Sequence, residues 1–173
     1  MKRPTAPGIQ NVPVSARRMK ESIREILKLE SAERKWWNKP LVRFGGRLIP
    51  AELAILFSEL APGEQGVWIN SRGTNSGVAD LITSEKDKYL TKQVPLPTFV
   101  SELLKNIYIL ANVKKGCPDL VIWNPETKRM RFIEVKCPHW DRPSQEQNKF
   151  ISAAESSGIS AEIAEWEFIG KAG

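Results

Sequence analysis

Asp119, Glu134 and Lys136 have the residue types and the spacing that metal-dependent hydrolysis of a phosphodiester requires. Asp119 opens one predicted strand, and 14 residues separate it from Glu134, near the end of the next predicted strand. Paired strands lie about 5 Å apart, so a hairpin would bring both carboxylates to one ion. Mg²⁺ binds proteins through one or two carboxylates together with waters and substrate phosphates. The sequence therefore predicts a metal site at one end of this hairpin.

Lys136 and the backbone of Val135 extend this predicted site. Glu134 and Lys136 are two positions apart on a strand, so their side chains project to the same face. The Val135 carbonyl could add a metal ligand. Lys136 could orient or deprotonate the attacking water, or stabilise the charge that builds on the phosphate. A Pro-Asp dipeptide alone is common, and Glu-x-Lys on a strand usually marks a solvated face. Their occurrence on adjacent strands, with apolar residues before Glu134, favours the active site.

Three linked stretches around these residues resemble the VRR-NUC domain, a family of the PD-(D/E)xK nuclease superfamily that includes small stand-alone members, many of them in phages. The stretches are Gly116–Trp123, Phe132–Pro138 and Asp141–Gln147. The resemblance runs from about Lys114 to Phe168. It implies an α/β (α+β) fold with a restriction-endonuclease-like core, in which helices flank a mixed central sheet, here with an added N-terminal helical segment.

The resemblance also assigns roles to individual residues. It implies that Asp119 and Glu134 are metal ligands, that Lys136 is the catalytic lysine, and that Gln147 lies beside the site on the following helix. For Gln147 the alternative is an ordinary position on a helix surface. The family usually has glycine where Cys137 stands, which leaves the carboxylates and the lysine unchanged but could alter the loop after the strand.

An upstream helix offers a further acidic residue, which the family also carries. Glu52 and Glu59 are the candidates, and their separation of seven places them on one helix face. Glu52 is preferred as a catalytic residue and metal ligand because it stands at the helix start, where the family's glutamate tends to lie. The alternative is that either residue is a helix-surface carboxylate.

The positive charge of the chain is concentrated near its N-terminus. Residues 1–40 contain ten Lys or Arg against four Glu, an excess of six that equals the net charge of +6. A segregated basic segment attracts a phosphate backbone, although it could also be a solvated helix face. The residues expected to bind DNA are Arg17, Arg18, Lys114, Lys115 and Arg142. The loop Ser71–Ser76 could lie over DNA or be a simple connection.

Hydrophobic periodicity predicts the elements that position these residues. Helices are predicted for residues 15–36, 50–60, 98–110 and 144–156, and strands for residues 67–69, 119–123, 129–135 and 161–168, with a turn at Gly45–Gly46 and a long irregular connection over residues 70–98. We expect a basic arm and helix over residues 1–40. A nuclease domain over residues 41–173 would then carry an inserted irregular or helical segment at about residues 70–110.

Several classes of protein are disfavoured by composition. No apolar run is long enough to span a bilayer, and no secretory signal is recognisable, so we expect no membrane partner and a cytoplasmic location, that of the host cell if the chain is phage-encoded. Two cysteines are too few for a disulfide scaffold. Zinc is disfavoured because Cys117, Cys137 and His139 would need additional carboxylate ligands.

The sequence thus predicts an endonuclease that uses Mg²⁺ or Mn²⁺ to hydrolyse DNA. The resemblance suggests branched or junction DNA as substrate and a homodimer, as in Holliday-junction resolvases. Two alternatives remain open at this point: a monomeric flap or restriction-like nuclease, and a non-catalytic DNA-binding module with a nuclease fold. The intact acidic and lysine cluster disfavours the second.

Overall fold

The computed structural model describes residues 28–36, 39–85, 88–136 and 144–169. The strands are β1 Lys28–Trp36, β2 Lys39–Phe44, β3 Arg47–Pro50, β4 Gln65–Trp68, β5 Ser76–Glu85, β6 Lys88–Pro95, β7 Leu120–Trp123, β8 Met130–Lys136, β9 Ser160–Glu165 and β10 Glu167–Ile169. The helices are α1 Ala51–Glu59, α2 Thr98–Ala111 and α3 Gln145–Ser156.

The central element is a six-stranded sheet in the order β6-β5-β4-β7-β8-β9. Neighbouring strands of this sheet are antiparallel, except for β8 and β9, which are parallel. A parallel pair needs a crossover connection, and α3 supplies it. A smaller sheet has the strand order β10-β1-β2-β3. Strands β1, β2 and β3 precede α1 along the chain, and β10 pairs with β1 at one edge of the sheet. The predicted fold class, a mixed central sheet flanked by helices, is confirmed.

The two faces of β8 face different hydrophobic cores, because successive side chains of a strand alternate between faces. Ile133 and Val135 pack with α1 residues such as Leu53. Phe132 packs on the other face with Phe150 of α3 and with residues of α2. Glu134 shares the face of Phe132, so its side chain points toward the side of the sheet that α2 and α3 cover.

The predicted helix over residues 15–36 is wrong in its last part, because Lys28–Trp36 is strand β1. The apolar residues that carry the helical period lie upstream, and β1 is instead fixed by pairing with β2 and β10. Such non-local pairing overrides local helix propensity. The rest of that predicted helix lies outside the described residues.

The predicted irregular connection over residues 70–98 is also wrong, since it contains the hairpin of β5 and β6. The glycine and proline residues that suggested an irregular connection are compatible with these strands. A Cβ on Gly77 would come within 2.5 Å of Val67 Cγ2, so glycine lets β5 approach β4 closely. Pro95 ends β6, where a missing backbone donor costs little. The predicted turn at Gly45–Gly46 joins β2 to β3, with both residues at positive φ.

The helices α1, α2 and α3 agree with the prediction to within two residues at either end. Within the described residues, no helix combines the length and apolar character needed to cross a membrane.

Candidate active site

The hairpin of β7 and β8 brings Asp119 and Glu134 together. Leu120 pairs with Ile133, and one further step in this antiparallel register sets Asp119 opposite Glu134. The backbone N–H of Val135 donates to Asp119 Oδ2 at 3.0 Å, which fixes the orientation of that carboxylate. The interval of 14 residues is therefore the length of chain that this hairpin needs to place one acid across from the other.

The carboxyl group of Glu134 lies in a poorly solvated part of the protein. Its side chain is buried, and the residue is only 1% exposed. Burial raises the pKa of Glu134 well above its usual range, and the nearby Asp119 carboxylate, within hydrogen-bonding reach, raises it further. Lys136 opposes this effect on the pKa, since its Nζ lies 3.3 Å from Glu134 Oε1. Two acids and one lysine thus share a site in which Glu134 has little access to water.

Gln147 completes the cluster from the start of α3. Its Nε2 donates to Glu134 Oε2 at 2.8 Å. Its Oε1 accepts from the backbone N–H of Ser144, whose hydroxyl in turn accepts from the Gln147 N–H. This reciprocal pair is a capping box, which begins a helix by satisfying free backbone donors. Gln147 therefore contacts Glu134, which supports its predicted place beside the site.

Gly116 is a residue of the site whose part the sequence reasoning missed. Its φ of +119° lies in a region that side chains rarely allow. A Cβ there would meet the carbonyl of Glu146 at 2.5 Å and the Gln147 nitrogen at 2.8 Å. Glycine thus lets the loop before Asp119 lie against the first turn of α3. A glycine three residues before the acid, within the motif itself, was the available signal.

Glu52 and Glu59 occupy different ends of α1. Glu59 lies 3.4 Å from Arg131, whose guanidinium also donates to the Glu59 carbonyl at 2.7 Å. Arg131 is three residues before Glu134, a distance of about 10 Å along a strand. Glu52 is buried at the other end of α1. This placement favours Glu52 over Glu59 for a part in the site.

Glu52 nonetheless stands apart from the main cluster. It belongs to α1, on the sheet face opposite to Glu134. Among the described residues, no three His, Cys, Asp or Glu side chains form a group that could hold a metal ion together. The structure therefore brings together Asp119, Glu134, Lys136 and Gln147, and leaves Glu52 outside that group.

The predicted DNA-binding residues are described only in part. Lys114 and Lys115 are exposed and directly precede Gly116, at the rim of the site. The pKa of Glu146 is lowered, mainly by a backbone hydrogen bond and also by the positive charge of the nearby Lys115. Arg17, Arg18 and Arg142 lie outside the described residues.

The donor set fits a hard divalent cation. Asp119 and Glu134 present carboxylate oxygens within hydrogen-bonding reach of one another. Val135 follows Glu134 directly, and its backbone N–H donates to Asp119 Oδ2. Two acids this close, one of them buried, need a cation or a shared proton between them. Oxygen ligands of this kind suit Mg²⁺ or Mn²⁺.

An α/β domain whose central hairpin pairs two acids with a lysine is the class that the fold and the site define. Residues 92–166 match the model of the VRR-NUC domain family, to which this part of the chain is similar. The family expected from the motif is thereby confirmed. The match begins at residue 92 and so includes α2, upstream of the stretches from which the resemblance was drawn.

Curated relatives and solved structures are similar over part of the chain. A stretch of 70 residues is 40% identical to the Fanconi-associated nuclease 1 homolog of Caenorhabditis elegans, covering 40% of this chain and 8% of that protein. The homolog of Caenorhabditis briggsae is 34% identical over 92 residues, 53% of this chain and 10% of that protein. The chain thus spans a tenth or less of the length of these relatives. The crystal structure of paFAN1 bound to 2nt 5′flap DNA with gap is similar over 44% of this chain and 14% of that one, with a TM-score of 0.35 and 22% identity.

Proposed function

We propose that this chain is an endonuclease that uses Mg²⁺ or Mn²⁺ to hydrolyse phosphodiester bonds in branched or otherwise structured DNA. The observation that carries the proposal is the pairing of Asp119 with the buried Glu134, with Lys136 at 3.3 Å from the latter. The nuclease relatives point to the same activity, and the motif resemblance points to structured DNA. A homodimer that cuts two strands symmetrically stays a prediction.

Each residue of the cluster has a chemical role in this proposal. Asp119 and Glu134 would hold the cation, with the Val135 carbonyl as a further ligand and Glu52 as a candidate ligand from α1. When bound, the cation would supply Lewis-acid stabilisation of the charge that develops on the phosphate. Lys136 would hold a positive charge beside the scissile phosphate or orient the attacking water. Gln147 would keep the Glu134 carboxylate in one orientation.

The test is cleavage of a labelled four-way junction, a 5′-flap and a plain duplex, with Mg²⁺, Mn²⁺ or EDTA. We expect metal-dependent cutting by wild type. Glu134→Gln and Asp119→Asn should lose more than the roughly 10–100-fold that removal of an outer partner of a metal ligand costs. The matched control is Glu126→Gln, because Glu126 is exposed in the turn at the far end of the hairpin.

Two outcomes would contradict the proposal. Cutting that persists in Glu134→Gln would place the active site elsewhere. DNA binding without metal-dependent cutting by wild type would favour the non-catalytic binding module instead.

A further inference from the structure

A polar groove of about 790 Å³ opens beside Asp119. One wall is the loop between β4 and β5. The other is formed by the parts of β5 and β6 that lie away from the turn of their hairpin. The side chains that matter for binding are those of Asn70, Arg72, Asn75, Thr91 and Gln93. The groove is therefore continuous with the proposed site of hydrolysis.

The loop that forms the groove wall is fixed by hydrogen bonds to the rest of the domain. The Ser71 carbonyl accepts from the Tyr108 hydroxyl at 2.6 Å and from the Gly116 N–H at 3.0 Å. The Thr74 carbonyl accepts from the Ser101 hydroxyl at 2.6 Å. These bonds tie the loop to α2 and to the segment before Asp119. The wall is thus positioned before any ligand arrives, which lowers the entropic cost of binding.

The chemistry of the groove suits a nucleic acid strand. Of the described residues that line it, Asp119 is the only acid and Arg72 the only base, and Arg72 is exposed. Arginine pairs well with phosphate, and amide and hydroxyl side chains bond to phosphates, sugars and base edges. Trp68 also lines the groove and could stack on a base.

The groove is built largely by residues before the VRR-NUC match, which begins at residue 92. Of the five groove side chains named above, only Gln93 lies within the matched range. The loop and β5 thus lie outside the matched range, although β5 belongs to the same six-stranded sheet as the strands that carry the acids.

We propose that this groove holds the single strand of DNA that adjoins the cleaved phosphodiester, with Arg72 contacting one of its phosphates. The proposal rests on the proposed nuclease function for the location of that phosphodiester. The strand would pass from Asp119 along the loop, and the amides of Asn70, Asn75 and Gln93 would bond to it without requiring one base sequence.

The experiment measures binding of a fluorescently labelled single strand and of a 5′-flap by the full chain in EDTA at several salt concentrations. Each phosphate contact on a single strand contributes about 0.7 to the slope of log affinity against log salt concentration. We expect Arg72→Ala to reduce the slope by about that amount and to weaken binding. Arg72→Lys should retain the slope, since it keeps the charge. Arg129→Ala is the matched control, because Arg129 is an exposed arginine in the turn at the far end of β7.

The outcomes separate this proposal from the nuclease proposal. An unchanged slope in Arg72→Ala, with wild type cutting DNA, would overturn the groove and leave the nuclease intact. An equal fall in Arg129→Ala would also overturn it, since any surface charge would then suffice. A reduced slope in Arg72→Ala alone would support the groove even if wild type failed to cut.

Discussion

At the scale of single residues, the site depends on an acid kept where water cannot solvate its charge. Glu134 gains a favourable donor from Gln147 and a positive neighbour in Lys136, yet burial and Asp119 still raise its pKa. In the metal-free protein the charged form of Glu134 is therefore destabilised relative to an exposed glutamate. A divalent cation would supply the charge that the acid pair lacks.

This electrostatic balance predicts how stability depends on pH in the absence of metal. Because the pKa of Glu134 is raised in the fold, its contribution to stability is full below the unfolded value of about 4.3 and is lost as pH rises through the folded value. We expect the free energy of unfolding in EDTA to fall as pH rises above the unfolded value. Glu134→Gln should lose this part of the dependence. Urea denaturation at several pH values measures it.

Added Mg²⁺ should restore the stability that is lost as pH rises. Saturation to about 100 times the dissociation constant corresponds to roughly 2.7 kcal/mol. The idea fails if Mg²⁺ stabilises Glu134→Gln as much as wild type.

Part of the site could be predicted from single residues because its geometry is local. The spacing of Asp119, Glu134 and Lys136 needs only a hairpin, and the structure brings them together. Gln147 came only through the resemblance, since no spacing rule links a helix start to a strand end. The choice between Glu52 and Glu59 needed the position of Arg131, which is 72 residues from Glu59 in sequence.

At the scale of elements, the loop before Asp119 and the first turn of α3 fit together through Gly116. The positive φ and the close backbone of Glu146 exclude any side chain at this position. The contact fixes where α3 begins, and α3 in turn carries the amide that holds Glu134. The geometry of the acid pair therefore depends on one glycine outside the group of polar residues.

We expect Gly116→Ala to be destabilised by more than the roughly 1–3 kcal/mol typical of backbone strain, because the clash with α3 adds to it. Its cleavage rate should fall as Gln147 is displaced. Gly158→Ala is the control: Gly158 also has a positive φ, of +79°, but its Cβ would meet nothing within 4 Å. It should cost about 1 kcal/mol and keep activity. Thermal melts and cleavage assays compare the pair, and equal activity losses would refute the steric argument.

The elements themselves were unevenly predictable. Helices α1, α2 and α3 follow from their own periodic apolar residues, which tertiary contacts only reinforce. Strands β1, β2, β3, β5 and β6 were missed, because their pairing partners and the reason for Gly77 lie elsewhere in the chain. A sheet edge formed by a polar hairpin has no continuous apolar signal to reveal it.

At the scale of the whole molecule, the excess positive charge and the proposed catalytic residues lie in different parts of the sequence. The excess of six positive charges lies in residues 1–40, whereas the remaining residues, which carry the acids, are balanced. Long-range attraction of DNA would thus come from one part of the chain and hydrolysis from another.

We expect replacement of both Arg17 and Arg18 by alanine to weaken duplex binding and to reduce its salt slope by about 1.8, for two phosphate contacts. The rate at saturating DNA should be unchanged, because these arginines are proposed to bind DNA and not to take part in the hydrolysis. Anisotropy at several salt concentrations and single-turnover cleavage measure the two effects. A fall in the saturated rate would instead assign these arginines to the reaction itself.

The loop and β5, which form most of the groove wall, precede residue 92, and every member of the group around Glu134 follows it. The residues proposed to hold the substrate and those proposed to hydrolyse it are therefore encoded largely in consecutive stretches of one gene. Recombination that exchanges the loop and β5 could alter which DNA is held without disturbing the residues that cut it. Such a layout would let substrate range diverge faster than mechanism.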